Sequence, residues 1–381
     1  KMHREFLGRI GFGQREQIAG IRLHRVAPSA RERFDACLDA LGLAEYTQIE
    51  RRGDTLDATL TAHAAVGLTP RFETLGLAER LERHGEFSLR REIVAALLGS
   101  PLRFEYPTLD EFDAAIRVRE RIVAAAHKTQ LAFDTEAAER PWDYWTYDSE
   151  RGFTLRPGKS LIEALLKATQ PEDPAHKYEF SCYRATEYVL LLGIAQELAE
   201  HNPALYASLQ KQWETEAIMS GRFHDTFLHE FGSLDTPLPG GYYIPGDRVW
   251  FRNPDARSAD IPGYEGSWVF YLGGGQFSNF WRADRPYTLA SKCLEIYHWR
   301  NGALPSDEPG RLCMDETVVD ACVQESVTHP REARRILDRM RRLRDGRGIY
   351  AEGGCIDASR ECPRPLCRGT ADLRLPQSGT A

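Results

Sequence analysis

Ser181–Ile194 reads SCYRATEYVLLLGI. The serine at its head is a good helix N-cap, and from Tyr188 to Ile194 the segment is apolar on every face. A helix that is apolar all round is buried rather than surface-lying. Cys182 therefore falls in the first turn of a helix at the centre of a core. Free N–H groups and the positive end of the helix dipole favour negative charge there. They lower a thiol's pKa and can hold the oxyanion of a tetrahedral intermediate. A cysteine is equally at home as a small core hydrophobe, and this segment alone leaves both readings open.

Downstream, a helix near Pro203–Ile218 gives way to short aromatic and β-branched runs at Tyr242–Ile244, Arg248–Arg252 and Ser267–Leu272. Gly273-Gly274-Gly275 suggests a hairpin into Gln276–Trp281, and a helix at Leu289–Asn301 closes the region. A buried helix followed by antiparallel strands suits a thiol acyl-transfer site, with the nucleophile on the helix and its partners on the sheet. Upstream, capped helices are expected at Ser88–Leu98, Thr108–Lys128 and Ser160–Thr169. Thr108 and Glu111 have the spacing of a capping box.

The first 80 residues read as a small β-α-β-β unit, with strands at Ile18–Val26, Tyr46–Arg51 and Thr55–Ala62 and a helix at Ser29–Leu43. No chemistry is legible in it. From Leu304 the chain is rich in charge, Gly and Pro, with one helix expected at 330–343 and irregular structure in the last dozen residues. The fold class expected is α+β. The division expected is an accessory unit at 1–85, a catalytic domain at 86–303 and a helical or irregular extension at 304–381.

The 381 residues carry a net charge of -7 and a pI of about 5.9, which argues against nucleic acid as a partner. The basic run 331–347 has apolar Ile336, Leu337, Met340 and Leu343 at helical spacing, the pattern of a solvated helix face. No 18-residue apolar run is present, so no membrane span is expected. The opening KMHREFLGRIGFG lacks an apolar signal core. A soluble protein is expected, cytoplasmic or exported as an effector, of unknown oligomeric state.

Of eight cysteines, five lie after residue 312. Cys355, Cys362 and Cys367 match no zinc spacing. They read as unpaired thiols, or as disulfides if the compartment is oxidising. His224 and His229, five apart, do not share a helix face, so with Glu230 they make no metal site.

Several segments resemble the spore-coat-type bacterial transglutaminases. Phe104–Ala126 (FEYPTLDEFDAAIRVRERIVAAA) is similar to that family's helix in its F-[DE]-Y start and IVAAA end, and Tyr144-Trp145 is similar too. Lys177–Thr186 (KYEFSCYRAT) resembles its nucleophile segment, Gly246–Pro254 (GDRVWFRNP) its G-D-x-x-Y-F-K-N-P, and Gly263–Gly273 (GYEGSWVFYLG) the strand that follows. The matches run in the family's order across about residues 102–300. The resemblance implies an NlpC/P60-like, papain-like core. It implies that Cys182 attacks a glutamine carboxamide, releases ammonia and passes the acyl group to a lysine amine. The partners would be proteins with accessible Gln and Lys side chains, and no metal or nucleotide cofactor is implied.

The chain departs from the family's pattern at the partners of the thiol. Ser181 stands where relatives have glutamate before the cysteine. Ser267 stands where they have a glutamate on the later strand, and Asn279 where they have histidine. Glu265 lies two residues before Ser267 and so on the same strand face, which makes it a candidate base. Glu179 is a second candidate carboxylate, and His224, His229 and His298 are candidate imidazoles. Trp250 and Trp268 are candidate cleft walls, excluding water from a thioester. Three functions remain in view: a crosslinking acyltransferase, a glutamine deamidase or cysteine hydrolase on the same fold, and a catalytically degenerate binding or scaffold protein.

Overall fold

Burial in Thr55–Leu60 alternates strictly between half-buried and buried residues, as a strand with one face on a core requires. It is β3 of an N-terminal sheet that follows the expected order: β1 (Ile21–Leu23), α1 (Pro28–Ala40), β2 (Thr47–Arg52), β3. The computed structural model describes residues 17–81, 88–135, 138–344, 353–369 and 373–375. The opening segment KMHREFLGRIGFG, the expected boundary at 85/86 and most of the last dozen residues lie outside these. Beyond α2 (Ala62–Leu68), α3 (Leu77–Leu81) and α4 (Leu89–Leu98), β4 (Phe104–Tyr106) adds a further strand, parallel to β1. The order is β2-β3-β1-β4, so this sheet draws on residues past the expected end of the accessory unit.

Thr108 caps α5 (Leu109–Lys128) by accepting the Glu111 N–H at 3.2 Å. The Glu111 carboxylate accepts the N–H groups of Leu366 and Cys367, at 3.0 and 2.8 Å, and ties the C-terminal region to the helix start. Then come β5 (Ala132–Phe133), β6 (Trp145–Asp148), β7 (Gly152–Leu155), α6 (Leu161–Thr169), β8 (Glu179–Phe180) and α7 (Cys182–His201). As its composition demands, α7 is buried continuously from Ala185 to Ala195. It packs on α5 and α6. Each wholly buried leucine, such as Leu190 or Leu191, contributes roughly 1.5–3 kcal/mol. Gly193 lets α5 and α7 approach closely, since a Cβ there would lie 2.7 Å from Ile122 Cγ1.

After α8 (Pro203–Thr215) and α9 (Ser220–Phe227) a second sheet is assembled from β9 (Leu228–Phe231), β10 (Arg248–Arg252), β11 (Gly266–Gly273), β12 (Gln276–Phe277) and β13 (Tyr287–Thr288), with α10 (Ala256–Ala259) between β10 and β11. The chain continues through α11 (Leu289–Gly302), β14 (Ala303–Pro305), β15 (Leu312–Met314), α12 (Glu316–Thr328), α13 (Pro330–Met340) and β16 (Arg360–Pro363). The strand order is β13-β12-β11-β10-β16-β9. Phe270 and Leu272 join the core of α7 on one face. Val249, Phe251, Val269 and Tyr271 join that of α11, α12 and α13 on the other.

Three local expectations change. Tyr242–Ile244 is a buried loop rather than a strand, because Thr74 Oγ1 takes the Tyr243 N–H at 2.7 Å and donates to the Tyr243 carbonyl at 2.6 Å. The strand expected at Gln276–Trp281 stops at Phe277. The tail supplies β16 and buries Cys355 and Cys362. No disulfide joins any of the eight cysteines. Among the described residues no helix is long and apolar enough to cross a membrane.

Candidate active site

Ser181 Oγ caps α7 by accepting the Arg184 N–H at 3.3 Å. This fixes Cys182 as the first helical residue, where it is partly exposed. It opens on a cleft of about 270 Å³ that Ser267, Asn279 and Lys292 also line. The strand beside it leaves a donor free. Phe270 donates to Ser278 Oγ and accepts the Ser278 N–H, both at 2.9 Å. N–H groups two apart on a strand point the same way. The Trp268 N–H therefore points to the side of β11 on which β12 has already ended. That N–H and the one of Tyr183 at the helix start favour negative charge on the Cys182 sulfur. Gly266 is required at the start of β11, because a Cβ there would collide with the Trp250 indole.

The thiol's ionisation differs from expectation. Burial pushes the Cys182 thiol up, and this outweighs the Trp268 and Tyr183 N–H groups and the charge of Lys292, which pull it down; Glu265 adds to the rise. The helix start acts in the expected direction but is overridden by desolvation.

The expected partners scatter. Ser267 is 7% exposed and faces the cleft. Glu265 is exposed at the approach to β11, within electrostatic reach of the sulfur. Asn279 also lines the cleft, but its side chain is committed to a turn: Nδ2 donates to the Arg285 carbonyl at 2.9 Å, and Oδ1 accepts the Arg282 N–H at 3.1 Å. Glu179 and Ser181 line a different cavity, with Arg140 and Arg184, so neither faces the thiol across the cleft. Strand alternation explains this for Glu179, which precedes the buried Phe180 on β8.

Trp250 and Trp268 lie directly opposite each other on β10 and β11 and stack at 5.9 Å and 22°. Arg344 lies 5.4 Å above Trp250, and Arg248 4.7 Å above Trp268. Neither ring lines the cleft. Its aromatic wall is instead Phe133, Tyr264, Trp281 and Trp299, joined by edge contacts of 5.1 to 5.7 Å.

Among the described residues, no histidine lines the cleft. His224 Nε2 is 2.8 Å from Glu361, His229 packs on Phe231 opposite Cys362, and His298 is held between Ser326 and Asn301, each at 2.7 Å. Among the described residues no cluster of His, Cys, Asp or Glu is suited to a metal.

The residue that sequence reasoning missed is Lys292. It is 2% exposed, yet its ammonium lies in the cleft, 3.1 Å from Glu295 and 4.0 Å over the Tyr287 ring. The available signal was a lysine among Leu289, Cys293 and Ile296, on the apolar face of a helix.

Residues 76–346 match the family model described as protein-glutamine gamma-glutamyltransferase. The protein-glutamine gamma-glutamyltransferase of Halalkalibacterium halodurans is 25% identical over 199 residues, covering 50% of this chain and 62% of that protein. The match thus spans less than two thirds of the relative's length. Among solved structures, the transglutaminase from Geobacillus stearothermophilus without its C-terminal extension aligns at a TM-score of 0.38 and 18% identity, over 57% of this chain and 98% of that one.

Proposed function

The chain belongs to the protein-glutamine gamma-glutamyltransferase family, and from that premise we propose that Cys182 forms a thioester with a protein glutamine side chain and transfers the acyl group to a lysine amine. The observation that carries this reading is the thiol at the start of α7, open to a cleft that Ser267 of β11 also lines. We assign the core around it to the NlpC/P60-like type, a buried nucleophile helix packed on an antiparallel sheet.

The sulfur attacks the carboxamide carbon and a C–S bond forms. The Trp268 and Tyr183 N–H groups are the proposed donors to the developing oxyanion. The C–N bond breaks and ammonia leaves with the proton lost by the thiol. A lysine amine then attacks the thioester, the isopeptide C–N bond forms and the thiolate is released. Glu265 is the carboxylate proposed to carry the proton, while Ser267 and Asn279 shape the cleft. The aromatic wall of Phe133, Tyr264, Trp281 and Trp299 limits water at the thioester and so favours the amine.

The test is incubation with a glutamine donor and a fluorescent primary amine, following amine incorporation and ammonia release. Both are expected, with Cys182→Ala lowering both by at least about 10³-fold and Glu265→Gln by about 10²-fold. Ammonia without incorporation would make the protein a deamidase. The absence of both would leave a binding protein.

A further inference from the structure

We propose that Lys292 is the charge that favours the Cys182 thiolate against the cost of burial, its ammonium fixed in the cleft by Glu295 and Tyr287. The proposal rests on Cys182 being the nucleophile and supplies what the departures at Ser181, Ser267 and Asn279 leave unfilled.

An ammonium removed from water is costly unless paired. Lys292 is the deeply buried cation of this cleft, and it is held within it rather than directed to bulk solvent. The α11 N-terminus fixes its position. Thr288 and Ser291 form a reciprocal capping box, and Lys292 follows in the first turn. Glu295, one turn on, accepts from its Nζ at 3.1 Å, and the Tyr287 ring lies 4.0 Å beneath it.

The other charged groups of the cleft are accounted for. On the segment before α11, Arg282 is bound to Asp320 of α12 at 2.6 Å, and Arg285 is exposed beside Asp284. Glu316 of α12 accepts from the Tyr264 hydroxyl at 2.9 Å. From the approach to β11, exposed Glu265 opposes a thiolate. A buried charge acts through a lower effective dielectric than an exposed one, so Lys292 outweighs Glu265 at the sulfur. The thiol proton passes to Glu265, the carrier proposed above, and the Lys292 ammonium offsets the charge left on the sulfur.

The experiment measures the pH dependence of iodoacetamide alkylation at Cys182 in the full chain, read by mass spectrometry of the Cys182 peptide. Lys292→Met is expected to raise the alkylation midpoint by about one pH unit and to slow reaction at pH 7 about tenfold. Lys292→Arg is expected to restore both. A folded Lys292→Met protein with an unchanged midpoint overturns the proposal. Should that variant not fold, Glu295→Gln keeps the ammonium and removes its offsetting anion. Its midpoint is expected to fall by several tenths of a pH unit, and an unchanged midpoint there overturns the proposal equally. Alkylation needs neither glutamine donor nor amine. A failure of transamidation is therefore distinguishable from a failure of the Lys292 assignment.

Discussion

One residue apart, the first turn of α7 meets two opposite environments. Cys182 opens on a cleft that, among the described residues, holds a nucleophile and no imidazole. Tyr183 turns to a buried ion-pair network with an imidazole and a carboxylate but no nucleophile. There Arg248 lies 4.8 Å over the Tyr183 ring. It donates to Glu361 at 2.5 Å and to Thr186 Oγ1 at 3.3 Å, and His224 completes the chain at 2.8 Å from Glu361. The groups one would seek beside a thiol are present, but outside the cleft. A buried guanidinium claims a carboxylate before catalysis can use it. Histidine and acid in one chain therefore say little until the faces are known.

The largest effect expected from breaking this contrast is on the network side. Glu361→Ala leaves Arg248 buried and unpaired and should cost about 3–5 kcal/mol in urea unfolding, while the folded fraction alkylates at Cys182 as before. A smaller effect belongs to the far end of β11, where a buried carboxylate is held by neutral donors. Glu92 accepts from the Tyr271 hydroxyl and the Gly274 N–H, each at 3.0 Å, and burial pushes its carboxyl up to about 7. A carboxyl raised in the folded state stabilises most fully below its unfolded value near 4.5, and that contribution is lost as pH rises through 7. Glu92→Gln should remove a pH-dependent loss on the order of 2–3 kcal/mol between pH 5 and 8, visible as a flatter profile of Tm against pH. Glu187, also raised to about 7 by burial, keeps its own share. The smallest effect is at the stacked pair. Trp250→Leu should cost about 1 kcal/mol of stability and leave the Cys182 alkylation profile unchanged, because that ring is outside the cleft.

What could be read from the sequence followed from periodicity. The wholly apolar run Tyr188–Ile194 places a buried helix with Cys182 at its start, and the caps Ser88, Thr108 and Ser160 fix where α4, α5 and α6 begin. Ser267 and Asn279, singled out by the family resemblance rather than by periodicity, line the cleft together with Cys182. Facing was not legible. Glu179 is three residues from Cys182 but is turned away by the strand-to-helix junction. Trp268 contributes its backbone rather than its ring. Lys292 was hidden because a lysine in a helix ordinarily reaches solvent, and only the packing of α11 under the sheet keeps it inside.

The last strand of the sheet raises a matter of timing. β16 lies between β10 and β9, pairing Arg248 with Glu361 on one side and His229 with Cys362 on the other. A ribosome emits β9 and β10 more than a hundred residues earlier. Until residue 363 has emerged, both wait with unpaired edges, the condition that invites pairing with another chain. A chain stalled after α13 would carry Cys182, Lys292 and the cleft in full, yet lack the strand that unites its sheet. The nascent protein therefore holds its chemistry before it holds its final shape, and protection of those two edges during synthesis bears directly on its yield.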